Sequence, residues 1–302
     1  MPNFDDLFTA PSESHEATAG QRSFNKDEFK ARKQAERDNV YGLIDSTTEE
    51  MKCSGELFQT FLDVQARFDR YSPTNDILIA KQLPGAMRLA DFDTWKAENV
   101  RVNKGEKSIA ILEPGKAYTK EDGTTGTSFN VKRVFDISQT NSAGKIIPTV
   151  TRDERLLLKS LITHAPCQMK IGNNMHERMN AIYSPKENTI YVRQGMEAPD
   201  IFRALSSELA HAHMAKGDGE YKRTGNLNTV YCVSYVLCKR YGVPTDSFAF
   251  ERMPEEYAKM DNKQFREELT KIRDVAGEIS REMNRVLDEH NRSHKDRGEE
   301  VR

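Results

Sequence analysis

Apolar positions recur at close to helical spacing from Phe24 to about Tyr71, most clearly at Leu57, Phe58, Phe61, Leu62, Val64 and Phe68, and this spacing predicts helix. Ser72-Pro73-Thr74-Asn75 breaks the run, a new helix starts there through Ile77, Leu78 and Ile79, and Leu83-Pro84-Gly85 stops it. Residues 90–98 predict one more short helix, with Asp91 placed to cap it. The period then changes. Ser108 to Leu112 reads as a short apolar strand, Thr119 to Thr127 as a hairpin-type loop and Phe129 to Ile137 as a second strand. Helical spacing returns from Arg152 to His164. Apolar and aromatic residues flank a Pro185-Lys186-Glu187-Asn188 turn in Ala181 to Val192, which predicts a hairpin. Helices follow at about 197–216, 226–242 and 262–292, the last with Ile272, Val275, Ala276, Ile279, Met283 and Val286 on one stripe.

These elements predict an α+β chain: an α+β module at residues 24–140, a linker at 141–150, and a mostly helical domain with a small hairpin or sheet at 151–292. The length of 302 residues agrees with two domains of roughly 100–200 residues each. Residues 1–23 lack a sustained hydrophobic period and are expected to be a disordered tail, in which Phe4 to Phe8 could alternatively dock on a partner. Residues 293–302 form a charged tail. A hydrophobic fraction of 37% and a mean hydropathy of -0.74 still leave apolar residues for two modest cores. No run approaches the ~18 apolar residues of a membrane span, and the acidic opening segment is unlike a secretory signal. Cys53, Cys167, Cys232 and Cys238 include no CxxC pair and are expected to be reduced, so a cytoplasmic location with no membrane partner is expected.

Net charge is -2, from 45 basic and 47 acidic residues, so any nucleic-acid site has to be a local patch. Such a patch is visible between Trp95 and Lys120, where six cations (Lys96, Arg101, Lys104, Lys107, Lys116, Lys120) meet three acids (Glu98, Glu106, Glu113). Tyr71, Asn75, Phe92 and Trp95 add rings and an amide nearby. Single-strand binding uses this mixture, cations for phosphates and flat rings for unstacked bases. The competing reading makes Trp95 a core ring that anchors its helix. Tyr71-Ser72 with Asn75, Leu78-Ile79-Ala80, Phe92-x-x-Trp95, Val102-x-Lys104-Gly105-Glu106-Lys107 and Phe135-Asp136-Ile137-Ser138-Gln139-Thr140 together resemble the N-terminal domain of the ArdC antirestriction family and its LtrC-like conjugative-element relatives. The resemblance covers about 70 residues, with Ser108 standing where relatives often have Gly. It implies binding of single-stranded DNA, with Asn75, Trp95, Lys96, Lys104 and Lys107 as strand contacts and Lys132 and Arg133 as further candidates.

A second region carries Ser207-Glu208-Leu209-Ala210-His211 on a helix, after the hairpin. Zincin-type zinc peptidases place His-Glu-x-x-His there: the two histidines share a face and bind zinc, and the Glu activates the bound water. Here Ser207 replaces the first His. The stretch around it resembles the peptidase-like half of the same family, whose third ligand is a glutamate near the start of the next helix. The corresponding residues 226–234 contain no acid. His213 points about 200° away from His211. His176, the His164/Cys167 pair and Glu220 are remote substitutes. Glu208 and His211 are therefore expected to be vestigial, with no catalytic residue and no metal or other cofactor. The implied function is a single-stranded-DNA-binding protein of a mobile or conjugative element, serving antirestriction or DNA transfer alongside conjugation or restriction-evasion proteins. Two alternatives stay open: a metal-dependent peptidase with a rearranged ligand set, and a protein-interaction scaffold built on the long C-terminal helix.

Overall fold

The computed structural model describes residues 26–120, 122–144, 153–173 and 175–299. The tail of residues 1–23, most of the predicted linker and the end of the charged tail lie outside the described residues. The chain forms two compact units. One takes in the residues up to Thr47 and Ile77–Ile146; the other takes in Thr48–Asp76 and the chain from Ile147 onward. The mixed helical and sheet composition is that of an α+β protein.

In the first unit, α1 (Lys26–Cys53, of which residues to Thr47 belong here) and the end of α3 (Pro73–Gln82) cover one face of a sheet. That sheet has the order β1-β3-β2, from β1 (Leu89–Ala90), β2 (Ile109–Thr119) and β3 (Thr125–Asp136), antiparallel throughout. Val40, Leu43 and Ile44 of α1 pack with Leu78, Ala110 and Leu112, and Val131 closes the cluster. Strand alternation explains the selection, since 110, 112 and 131 share one sheet face. Gln82 ties α3 to the strand edge: its Oε1 accepts from the Ala110 N–H and its Nε2 donates to the Ala110 carbonyl, both at 2.9 Å. The short helix α4 (Phe92–Ala97) follows β1, capped by Asp91, whose carboxylate accepts from the Thr94 N–H at 2.8 Å. The two strands run further into the expected 119–127 loop than the apolar pattern indicated, because β2 and β3 keep pairing as far as Thr119↔Thr125 in solvent.

In the second unit, α2 (Gly55–Arg67) starts at a Ser54 cap. The helical run predicted from Phe24 to Tyr71 is thus two helices, and the second groups with the C-terminal part of the chain rather than with residues 24–140. The physical reason is its apolar face. Phe58 makes ring contacts with Phe250, Tyr257 and Phe265, and at Gly55 the backbone passes so close to Phe250 that a Cβ would fall 1.6 Å from its carbonyl oxygen. Downstream come α5 (Glu154–Thr163), β4 (Gln168–Ile171), β5 (Ala181–Ser184), β6 (Thr189–Val192), α6 (Ala198–Ala215), α7 (Leu227–Tyr241), α8 (Glu255–Lys259) and α9 (Asn262–Glu299). The predicted hairpin is β5–β6, and β4 adds to β6 in parallel to give the order β4-β6-β5. Helices α6 and α7 pack side by side, joined by a 2.7 Å hydrogen bond between the Ser206 and Ser234 hydroxyls. The predicted stripe of α9, from Ile272 to Val286, is buried at every one of its six positions. No described helix is long and apolar enough to cross a membrane.

Candidate nucleic-acid interface and the cleft at Glu208

The cationic segment of the first unit is a turn held from beneath. Gly105 adopts φ +90, a left-handed conformation that glycine takes without steric cost, and so lets the chain reverse at Lys104-Gly105-Glu106-Lys107. Gln139 anchors both sides of this turn: its carbonyl accepts from the Asn103 N–H at 2.9 Å, and its Nε2 donates to the Lys107 carbonyl at 2.7 Å and to Glu106 at 3.1 Å. Asp136, fully buried, accepts from the N–H groups of Met87, Arg88 and Ser138 at 2.7–2.9 Å, and its own N–H donates to Gln139 Oε1 at 2.9 Å. The Phe135 to Thr140 motif is therefore a brace: its polar side chains fix the loop that displays the lysines.

The candidate strand contacts divide into three groups. Lys96, Lys104 and Lys107 are exposed in the first unit. Trp95 is completely buried, donates its Nε1–H to the Phe135 carbonyl at 3.0 Å, and lies 4.8 Å beneath the Arg88 guanidinium; it is a core ring and has no face to offer a base. Asn75 is buried too, and it groups with the second unit. Lys132 is paired with Asp91 at 2.8 Å and Glu113 at 3.4 Å, and Arg133 with Glu36 at 2.7 Å. The Lys132 hydrogen bond holds the Asp91 carboxyl well below its usual range. The resemblance placed Trp95 among the strand contacts, yet the exposed ring of α4 is Phe92, at 56% exposure. Phe92 and Lys96 stand four residues apart on α4 and so share a face. The opposing acids are partly engaged: Glu98 with Arg88 at 2.5 Å, and Glu106 with Gln139.

In the second unit, α6 presents Ser207-Glu208-Leu209-Ala210-His211 beside strand β5. Glu208 is buried, and its Oε2 accepts from the Tyr183 N–H at 2.7 Å. Arg223 grips the same carboxylate with both terminal nitrogens, Nη2 at 3.0 Å from Oε1 and Nη1 on Oε2, while Nη1 also donates to the Tyr183 carbonyl at 3.0 Å. A guanidinium thus supplies the positive charge beside Glu208. Sequence reasoning missed Arg223; a buried carboxylate calls for a cation, and the basic residues Lys216, Lys222 and Arg223 on the α6–α7 connection were the available signal. His211 is also buried, with Nδ1 3.0 Å from the Tyr221 hydroxyl, and burial, helped by Arg223, lowers its pKa to about 3. His213 turns to Glu278 at 3.2 Å. His176 lines the same cleft of about 590 Å³ as Ser207, Glu208, Arg223, Tyr231 and Phe248, whereas His164, Cys167 and Glu220 do not line it. Among the described residues, no three His, Cys, Asp or Glu side chains converge as a metal ion requires. In the acid-free stretch of α7, Thr229 bonds Glu268 of α9.

No family model matches the chain. It is 26% identical over 241 residues to an uncharacterized protein, pXO2-81, of Bacillus anthracis; the match takes in 60% of this chain and only 39% of that protein. Among solved structures it resembles the antirestriction ArdC protein from the R388 plasmid. The metal-free form is 16% identical, covering 71% of this chain and 86% of that chain at a TM-score of 0.49. The Mn(II)-bound form is 15% identical, covering 74% and 97% at a TM-score of 0.50. The fold is ArdC-like. That likeness agrees with the family resemblance read from the sequence.

Proposed function

We propose that this chain is a mobile-element protein of the antirestriction or DNA-transfer type, whose first unit binds single-stranded DNA and whose second unit is a peptidase-like scaffold without catalytic metal. The observation that carries the reading is the braced turn at Lys104–Lys107, next in sequence to the exposed Phe92–Lys96 face of α4. The brace holds the backbone that carries Lys104 and Lys107, whose ammonium groups contact phosphates, and an exposed ring stacks an unpaired base for about 1–3 kcal/mol. The ArdC-like fold supports the same reading. In the second unit the donor set does not fit catalytic zinc. Ser207 offers a neutral hydroxyl, His211 directs Nδ1 to Tyr221, and Glu208 is held by Arg223. Competition between a labelled oligothymidylate and duplex DNA tests the proposal: the full chain is expected to hold the single strand against excess duplex, and equal displacement by duplex would refute it.

A further inference from the structure

Helix α9 carries a glycine where its packing does not need one. Gly277 sits in the interior of a 38-residue helix, where glycine weakens the helix relative to alanine. A Cβ added there would meet nothing within 4 Å, so neither close packing nor backbone strain accounts for it. It lies midway between Arg273 and Arg281 on one flank of the helix, each four residues away, and it lines a cavity of about 630 Å³. Arg70, Arg240, Arg273, Arg281 and Arg285 all face this cavity. Asp69, Asp274 and Asp288 face it as well, so guanidinium groups outnumber carboxylates by five to three; Arg273 directs Nε to Asp274 at 2.9 Å, leaving its terminal nitrogens for a ligand, and Arg285 pairs with Glu282 at 3.3 Å. Fully buried Asp76 lies within electrostatic reach of Arg273 and Arg240, with neither carboxylate oxygen hydrogen-bonded, and burial raises its pKa against the pull of these arginines. Arg240 is the fixed wall. It is tied to the Gln65 and Ala66 carbonyls at 2.9 and 3.1 Å and to the Ser280 hydroxyl at 2.8 Å. Arg281 is exposed at the rim.

We propose that this cavity is a phosphate site: the missing side chain at Gly277 leaves room for a phosphate group between Arg273 and Arg281, whose planar forks match phosphate oxygens. The phosphate can belong to a free anion or to a nucleic-acid backbone. The site belongs to the second unit and does not depend on the first unit binding DNA.

Titrating the full chain with inorganic pyrophosphate, and separately with an oligothymidylate, tests it while the Tm of each variant is recorded. Gly277→Ala is expected to raise Tm and yet weaken binding, because the added methyl favours the helix and fills the floor of the site. Arg273→Ala/Arg281→Ala is expected to lower affinity about tenfold or more. Lys263→Ala, on the same helix but not lining the cavity, is expected to change little. A response confined to pyrophosphate identifies a free-anion site; a response confined to the oligonucleotide identifies backbone phosphate. The proposal is overturned if the double arginine variant leaves both affinities unchanged, or if Gly277→Ala raises Tm without weakening either.

Discussion

At the scale of single residues, Arg223 supplies the charge partner of Glu208. A buried glutamate needs either a metal-bound water or a cation, and here a guanidinium holds both its oxygens. Removing one partner of such a pair leaves an uncompensated buried charge, so Arg223→Ala is expected to cost about 3 kcal/mol, and adding Glu208→Gln to recover most of that loss. Denaturant unfolding of the single and double variants checks this; additive losses would mean the pair is not coupled. His211 sets a pH dependence. Its folded-state pKa of about 3 lies below the ordinary 6.5, so the unfolded chain binds the extra proton as pH falls, and stability declines from about 6.5 downward. The slope is at most about 1.4 kcal/mol per pH unit from this group. His213, lowered by burial against the opposing pull of Glu278, acts in the same sense. Thermal unfolding between pH 7.5 and 5 is expected to show the decline, and His211→Asn to flatten it.

At the scale of elements, the Asp136–Gln139 brace explains why a signature with no exposed charge accompanies a lysine turn. Gln139→Ala removes the donor to Lys107 and Glu106, and the turn should loosen although no cation is lost. Hydrogen exchange at residues 103–107 is expected to speed up and single-strand affinity to fall several-fold; unchanged exchange would show that the turn holds its own shape. Periodicity made α6, α7, α9 and the β5–β6 hairpin legible, because each buries one regular face. It did not reveal β4, whose residues lie mostly exposed at a sheet edge, or that Trp95 is core. Two rings three residues apart on a six-residue helix give too short a period to tell which one is buried. The assignment of α2 to the second unit was equally hidden, since it depends on Phe250, Tyr257 and Phe265 far along the chain.

At the scale of the whole molecule, a net charge of -2 is compatible with nucleic-acid binding only if the cations are local and fixed. In the first unit Lys96, Lys104 and Lys107 are exposed, whereas Lys132 pairs with Asp91 and Glu113 and Arg133 with Glu36. Each phosphate contact to a single strand contributes about 0.7 to the slope of log affinity against log salt. The most direct measurement is therefore that slope, from fluorescence anisotropy of a labelled oligothymidylate with the full chain and with Lys96→Ala/Lys104→Ala/Lys107→Ala. The account predicts salt-sensitive binding by the unmodified chain and a slope shallower by about two in the triple variant. The same slope and affinity in both proteins would contradict it.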